Sequence, residues 1–527
     1  MNLLVDDFFF FRKKDGSFFK GNFLEILNPE VVDFAMPRED FQVSAYVFTI
    51  AVLQTVFAPE DQYEWQERYE LQADSLDQLT QELSAALQLI QHAFNVIGDG
   101  PLFMQDFDLL EQANEQSVSA LLIESPGENT IKNNTDHFVK RGTAECISIE
   151  LLIWALFTMQ SMAPSGGAGH RVSLRGGGPL TTIIKTGNED STLWQQVWLN
   201  VINREHWQYP KPDLQSISVF PWLGPTLESK TSKVVYAKDV HPLHMYWAMP
   251  RRIRLNENLT KGICQVSGYE SEHIITSYRT QNYGYNYGGT WSFPLTPYRW
   301  NPKKPDEDKF SIKGQLDVHY NQWHMLSHTD SEEGYQCATN ISHYYKLLEN
   351  YEELVRRPRI WASGYSLDNM KAKGWSSVYL PLMKISMTKQ DDYFASITEM
   401  HRVAKNIVYL CRSHIKAALI SERSNIKGGF EYVDTVFWQR SQGTFFELAT
   451  LLQHQDNYTL TNELASTWFN YLRALALDLY DEYAFSGDVE TSLVLLESRS
   501  KERQKLQRAI YSKNKHFLID YKLLDKA

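Results

Sequence analysis

The sequence predicts an α+β protein: a large mixed α/β N-terminal body, residues 1–375, followed by a C-terminal antiparallel four-helix bundle, residues 376–527. Three observations carry that expectation. A chain of 527 residues is longer than one hydrophobic core ordinarily serves, so it should divide. Up to Trp375, helical periodicity alternates with short aromatic-rich runs punctuated by glycine and proline, the texture of a mixed body. Beyond Trp375 the periodicity is almost wholly helical and prolines are few.

Taken in order, the body opens on MNLLVDD and an aromatic cluster, Phe8 to Phe11. A capping box, Ser75-x-x-Gln78, starts a helix that the spacing of Leu79, Leu83, Leu87, Ile90 and Phe94 carries to a stop at Gly98. A second helix is expected from about Thr143 to Met159. The chain is glycine-rich from Ser161 to Gly178. Strands and turns are then expected at Lys233–Tyr236, Met245–Leu255 and Tyr283–Trp291. In the last of these Tyr283, Tyr285 and Tyr287 recur every second residue and would share one strand face, either as a row for stacking bases or as a packed core face. The bundle follows from four helical segments at 390–420, 434–455, 460–484 and 488–522. They are separated by Gly428-Gly429, Asp456-Asn457 and Ser486-Gly487.

With 43% hydrophobic and 22% charged residues, the composition is that of a folded soluble protein. The N-terminus lacks the basic start and small-residue cleavage site of a signal peptide, so no export is expected. The longest apolar run, Ile147 to Met159, is interrupted by Ser148 and Glu150 and falls short of a membrane span. Cys146, Cys264, Cys337 and Cys411 form no CxxC pair, which fits four thiols in a reducing cytoplasm. A net charge of −12 counts against a stand-alone nucleic-acid binder, so any such role must rest on local patches.

The residues argue against catalysis, a metal or a cofactor. His241-Pro-Leu-His244 and His324-Met-Leu-Ser-His328 have metal-compatible spacing without the glutamate of an HExxH site, so satisfied or surface histidines are the favoured reading. Asp391 and Asp392 are adjacent and face apart, and no GxSxG elbow is present. The stretch Ala163 to Thr182 places Gly166, Gly167 and Gly169 beside His170, Arg171 and Arg175, as for a phosphate or groove-edge contact or simply a flexible turn. It is neither a Walker A loop nor a GxGxxG fingerprint, which speaks against nucleotide hydrolysis. Alternation over Pro250–Leu255 puts Arg252 and Arg254 on one face and Arg251 on the other, as solvated arginines or base readers. In the first bundle helix His401, Lys405, Arg412, Lys416 and Arg423 lie within about 60° of one another, opposite Val403, Ile407, Leu410 and Ala417. This basic stripe is a solvated face or a nucleic-acid track. The last helix adds Arg499, Lys501, Arg503, Lys505 and Arg508.

The glycine stretch, with its tail Leu174-Arg-Gly-Gly-Gly-Pro-Leu-Thr-Thr182, resembles the glycine loop of the CasA family, the large subunit of the type I-E CRISPR Cascade surveillance complex. The opening MNLL, Pro101–Gln105, Ser125–Gly127, Tyr246-Trp247 with Pro250–Leu255, Pro294–Pro297 and Gly364–Lys371 agree in order and spacing over the first 375 residues. The resemblance implies a non-catalytic subunit that inspects duplex DNA for a protospacer-adjacent motif (PAM) from the minor-groove side. It further implies other Cascade subunits, CRISPR RNA, double-stranded target DNA, the displaced strand and a helicase-nuclease as partners. The glycine loop falls on Gly167, Ala168 and Gly169, and the wedge on Asp368 and Asn369, where a turn followed by a helix start would project them, or where Asp368 would serve only as that helix's N-cap. The lysine finger of the family aligns with Asn282, a departure, with Arg279 as a nearby substitute. The stretch Ile123–Thr143, with Lys132, Lys140 and Arg141, would lie toward the RNA 5′ end and the adjoining subunit. The expected DNA track of the bundle is Lys405, Arg412 and Lys416. Two rival functions stand beside this one: an enzyme that binds a nucleotide phosphate in the glycine loop, and a purely structural scaffold.

Overall fold

The computed structural model describes residues 1–71, 73–125, 142–167, 169–188, 190–231, 233–257, 260–316, 318–351, 355–368, 371–419, 429–455, 457–486 and 493–523. Ala168, Asn369, Arg423, Lys132, Lys140 and Arg141, together with most of the Ile123–Thr143 stretch, lie outside the described residues. The chain forms two compact units. The first comprises residues 1–316, 329–347 and 353–380, and the second residues 317–328, 348–352 and 381–527.

The helices of the first unit are α1 (Glu39–Val56), α2 (Gln62–Glu70), α3 (Leu76–Gln88), α4 (Ile149–Met162) and α5 (Leu193–Trp198). Its early strands are β1 (Phe9–Lys13), β2 (Phe18–Gly21), β3 (Val31–Phe34), β4 (Glu115–Ser117), β5 (Ile147–Ser148) and β6 (Thr181–Lys185). They are followed by β7 (Arg252–Leu255), β8 (Thr260–Ile263), β9 (Glu270–Ile275), β10 (Ser277–Gln281), β11 (Tyr298–Arg299), β12 (Phe310–Ser311), β13 (Tyr335–Gln336), β14 (Arg359–Asp368) and β15 (Lys371–Pro381). These strands make small three-stranded sheets, ordered β2-β1-β3, β4-β10-β7, β12-β11-β13, β15-β14-β6 and β5-β9-β8.

Helix α1 is buried along nearly its whole length, and its apolar residues cover every face, so it forms the centre of this core rather than an amphipathic surface. Phe48, in its middle, meets Phe9, Phe94, Phe103, Trp154, Phe157 and Trp247 at ring-centroid distances of 5.5 to 6.0 Å, mostly edge to face. Two polar pairings tie this core together: Trp154 Nε1 donates to Phe8 O at 3.0 Å, and Ser44 and Thr158 share a hydroxyl bond of 2.6 Å between α1 and α4.

Local departures from the expected elements have identifiable causes. Helix α3 stops at Gln88, and a short 3₁₀ turn at Gln91–Ala93 replaces the helix expected to continue toward Gly98. Ser75 makes no side-chain bond to the α3 N-terminus, so the capping box is not formed there. Helix α4 begins six residues later than expected because Ile147 and Ser148 pair with β9 before the chain turns helical. Strand β10 ends at Gln281, and Tyr283 takes a left-handed φ of +69°, so the three tyrosines do not share a strand face. Tyr285 and Tyr287 instead stack at 6.0 Å within the interior, which is the packed-core alternative.

In the second unit α6 (Tyr320–Ser327) joins α8 (Gln390–Leu419), α9 (Glu431–Gln453), α10 (Asn462–Ala484), α11 (Leu493–Lys513) and the short α12 (Lys515–Asp520); a further helix, α7 (Thr339–Leu348), belongs mainly to the first unit. Side-chain bonds give the helix directions. Arg412 near the end of α8 pairs with Asp434 at the start of α9, while Tyr393 near the start of α8 donates to Ala449 O near the end of α9. Asp481 of α10 pairs with Arg503 of α11, and Asn406 of α8 reaches Asn514 beyond α11. The result is an up-down-up-down four-helix arrangement. Its core holds Phe445 stacked on Tyr320 at 4.2 Å, and Trp468, whose Nε1 donates to Met400 O at 2.9 Å.

Candidate nucleic-acid interface

The glycine stretch is a loop that leaves α4 and re-enters the fold at β6. Its foot is fixed from below by Arg251, whose Nη2 donates to Pro164 O at 2.6 Å. The Arg251 backbone N–H donates to Gln160 Oε1 at 3.0 Å, and the same amide's nitrogen donates to Arg251 O at 3.0 Å and Met104 O at 3.1 Å. Burial pushes the pKa of the Arg251 guanidinium down to about 10. The loop closes on itself through His170 N–H to Gly167 O, 3.0 Å. At its tip Gly167 is exposed, and a side chain there would meet nothing within 4 Å.

Gly169 is constrained where Gly167 is open. Its φ is +85°, a Cβ there would lie 2.7 Å from Asn282 Cβ, and its carbonyl accepts from Tyr283 N–H at 2.8 Å. The glycine loop and Asn282, at the aligned finger position, therefore form one continuous surface feature. On the other side of the loop foot, a Cβ on Gly177 would sit 3.3 Å from Pro164 Cα and 3.1 Å from Leu367 Cδ1. Gly178, with φ of +60°, is held against Tyr365 O and Leu367. This close backbone packing sets the end of β14, and thus Asp368, beside the foot of the same loop.

Asp368 is the last residue of a strand, not a helix N-cap, and it pairs with Lys373 of β15 at 3.3 Å. The hydrogen-bonded strands β14 and β15 are separated by two residues only, as in a hairpin. Its stem is built from Tyr365 against Trp375 at 4.9 Å and Trp361 against Tyr379 at 5.7 Å. The Tyr365 hydroxyl donates to Asp40 at 2.6 Å and lies 3.1 Å from Glu124. Burial and these two carboxylates hold its phenol far above the ordinary range.

Several expected contacts are internal instead. Arg171 donates to Ser229 Oγ at 2.7 Å and Ser229 O at 3.1 Å, and Arg175 is buried with bonds to Thr181, Thr296 and Ser161 O. Burial lowers the pKa of Arg175 to about 10. Neither arginine is a ligand donor at the loop tip. Arg252 and Arg254 are neither solvated nor base readers. Arg252 is bonded to Asp106 at 2.6 Å, to Asp108 at 3.0 Å and to Glu228, and Arg254 donates to Asp106 O. Burial works against the Arg252 charge, but these carboxylates raise its affinity for the proton. Arg279 is half-buried and lies 3.4 Å from Glu115, so a carboxylate already faces it.

On α8 the expected stripe separates. His401 is 2% exposed and stacks on Phe445 at 4.9 Å, inside the core. Arg412 is engaged by Asp434, whereas Lys405 and Lys416 are exposed. On α11, Arg499 donates to Ala484 O, while Lys501, Arg503 and Lys505 pair with Glu497, Asp481 and Glu502. In the first histidine pair His241 Nδ1 accepts from Leu243 N–H, and buried His244, its pKa lowered to about 4 by burial, contacts Ser218 O and the Tyr287 hydroxyl. Among the described residues no group of three or more His, Cys, Asp or Glu side chains is placed to hold a metal, and no helix is long and apolar enough to cross a membrane.

The sequence offered Arg251 only as a solvated arginine or base reader and did not single out Gln160, yet the two together position the loop. Sequence reasoning also missed Asp106, which takes Arg252 out of play. The sequence held only a partial signal for Asp106, its place directly after Pro101–Gln105; that it is a buried acid calling for a cation is seen only in the fold.

The α+β body with a C-terminal helical bundle is the fold of the large CRISPR-associated CasA/Cse1 proteins. The chain belongs to the CRISPR-associated protein Cse1 family, whose profile matches residues 2–479. Its fold is similar to that of Thermus thermophilus CasA, with a TM-score of 0.70 at 15% identity over 97% of this chain and 99% of that one. Thermobifida fusca Cse1 is similar with a TM-score of 0.70 at 14% identity, covering 97% of both chains. A chain of a CRISPR RNA-guided surveillance complex gives a TM-score of 0.66 at 14% identity over 96% of this chain and 99% of its own.

Proposed function

We propose that this chain is the large, non-catalytic subunit of a type I-E Cascade surveillance complex, assembled with the other Cascade subunits and CRISPR RNA, and that its first unit reads the PAM in double-stranded target DNA. The observation that carries the reading is the convergence of the Gly167–Gly169 loop, Asn282 and the Asp368 end of β14 through backbone packing at Gly169, Gly177 and Gly178. Such a surface, rich in backbone and neutral amide, suits the minor groove, where base pairs present a degenerate set of acceptors and a side-chain amide can donate to them. Asn282 in place of a lysine keeps the donor and drops the charge.

The hairpin tip would then start strand separation. R-loop formation is close to balance between the duplex lost and the heteroduplex gained, so modest contacts tip it. The exposed lysines of α8 would lie along the displaced strand and help present it to a helicase-nuclease. The enzyme alternative is disfavoured by the loop's exit into β6 rather than into a helix whose N-terminus would hold a phosphate.

The test is a complex reconstituted with parent chain or with Gly167→Asp, screened against a duplex library randomised beside the target. The variant places a carboxylate at an unstrained, exposed position. Assembly should persist while motif enrichment collapses. A variant complex that assembles and enriches the same motifs as tightly as the parent would return the chain to a scaffold role.

A further inference from the structure

On the first unit, away from the glycine loop, a concavity of about 540 Å³ opens between the β1–β2 hairpin, the β8–β9 turn and the start of α4. Its walls are aromatic, formed by Phe10, Phe19, Phe18 and Tyr269. Phe18 and Tyr269 are each 71% exposed, and Ile263, paired with Glu270 across the hairpin, is 61% exposed. One exposed apolar side chain needs no explanation, but two large exposed aromatic ones lining a concavity of this size, beside an exposed Ile263, mark a binding surface.

The charges at the concavity select the occupant. Lys20 is committed to Glu150 at 2.8 Å, and Ser271 adds a contact to the same carboxylate. Glu270 is exposed and has no cation among the described residues. The surplus is negative, which opposes nucleic-acid phosphate and favours a basic group. Aromatic rims of this kind are the usual anchors of protein–protein interfaces, where a few such side chains carry most of the binding energy.

We propose that this concavity docks a protein segment of a neighbouring subunit, one that inserts an apolar side chain between Phe18 and Tyr269 and sets a lysine or arginine against Glu270. The proposal rests on the reading of the chain as a subunit of a larger assembly, and it is independent of the PAM surface.

The experiment uses the full chain and, as probe, the reconstituted guide RNA–protein assembly lacking this subunit, with free guide RNA as the comparison. Both aromatic residues are exposed, so Phe18→Ala with Tyr269→Ala should leave the melting temperature unchanged. Affinity for the assembly should fall by about tenfold or more. Glu270→Lys should weaken it further than Glu270→Gln. Hydrogen exchange should show protection of residues 18–20 and 267–271 on joining the assembly. Unchanged affinity in the aromatic variant overturns the proposal and leaves the subunit reading standing. Protection by free RNA alone overturns it in favour of a nucleic-acid occupant. Protection already present in the isolated chain and lost on deleting residues 126–141 overturns it in favour of an internal occupant. A parent chain that does not bind the assembly overturns both readings together.

Discussion

A methyl group on Gly169 would enter space held by Asn282 and Tyr283 in a left-handed backbone, whereas one on Gly167 would meet only solvent. Charge at the loop tip is therefore tested cleanly at Gly167, while a change at Gly169 also disturbs Asn282. The same contrast between position and environment governs His401. Burial first, then His324 at 4.7 Å and the charge of Lys405, push its imidazole far below the ordinary range, so it is neutral in the folded protein. In the unfolded chain it titrates near about pH 6.5, as a solvated imidazole does. Above that pH both states are neutral and nothing is gained or lost. As pH falls below about 6.5 the unfolded chain takes up a proton that the folded chain refuses, and stability declines by up to about 1.4 kcal/mol per pH unit for this group. His343 and His244, also depressed by burial, act in the same direction, so the informative quantity is a difference. His401→Phe keeps a ring against Phe445 and should flatten the fall in urea stability of the full chain between about pH 6.5 and about pH 5 by close to one proton's worth. Identical slopes for parent and variant would show that the imidazole takes up its proton in the folded chain as readily as in the unfolded one.

At the scale of elements, the β14–β15 hairpin fixes how Asp368 can act. A cap-only role for Asp368, with loss of helix stability on substitution, has no helix to act on, because the residue ends a strand. The stem is held by Tyr365 and Trp375, below the tip, and the exposed pair with Lys373 contributes little. Asp368→Ala in the assembled complex should therefore leave thermal stability unchanged. R-loop formation should slow on a fully paired target but not on one pre-melted beside the PAM, where unstacking no longer costs about 1.4 kcal/mol per step. Stopped-flow traces showing equal slowing on both substrates would remove the wedge. Elements of this kind were only partly legible in the sequence. The bundle helices were readable to within a few residues at most ends, because helical periodicity and short polar connections specify them directly. The hairpin was missed, since Gly364–Lys371 offered a turn signal whose strands are defined by pairing with β6, far away in sequence. The tyrosine row failed for a related reason: spacing of two specifies a shared face only while the backbone stays extended, and Tyr283 leaves that region. The contact between Gly169 and Asn282 is likewise tertiary, so periodicity contains no trace of it.

At the scale of the whole molecule, the acidic total goes with basic residues that mostly face carboxylates, so any DNA contact by this chain must rest on a few exposed cations and on uncharged groups. Arg252, Arg412, Lys501, Arg503 and Lys505 all face carboxylates, so the net charge of −12 understates how thoroughly the basic residues are internally committed. Lys405 and Lys416 are exceptions on α8, about three turns apart on an exposed face. If they lie along DNA, Lys405→Gln with Lys416→Gln should reduce the salt dependence of DNA binding by the assembled complex by at most about two units of slope, less for a single strand. Arg412→Gln is a different experiment, because it strands Asp434 and acts first on bundle stability. On the proposed reading the two units would divide the work: the loop variant Gly167→Asp should alter motif preference, and the lysine pair should alter the salt slope at constant preference. Because these positions lie in different units and share no partners, their effects on binding free energy should add to within about 0.5 kcal/mol. Titrations of parent, both variants and their combination over a range of salt measure all three quantities. A changed motif preference in the lysine variant, or an unchanged slope, would assign Lys405 and Lys416 to an ordinary solvated face.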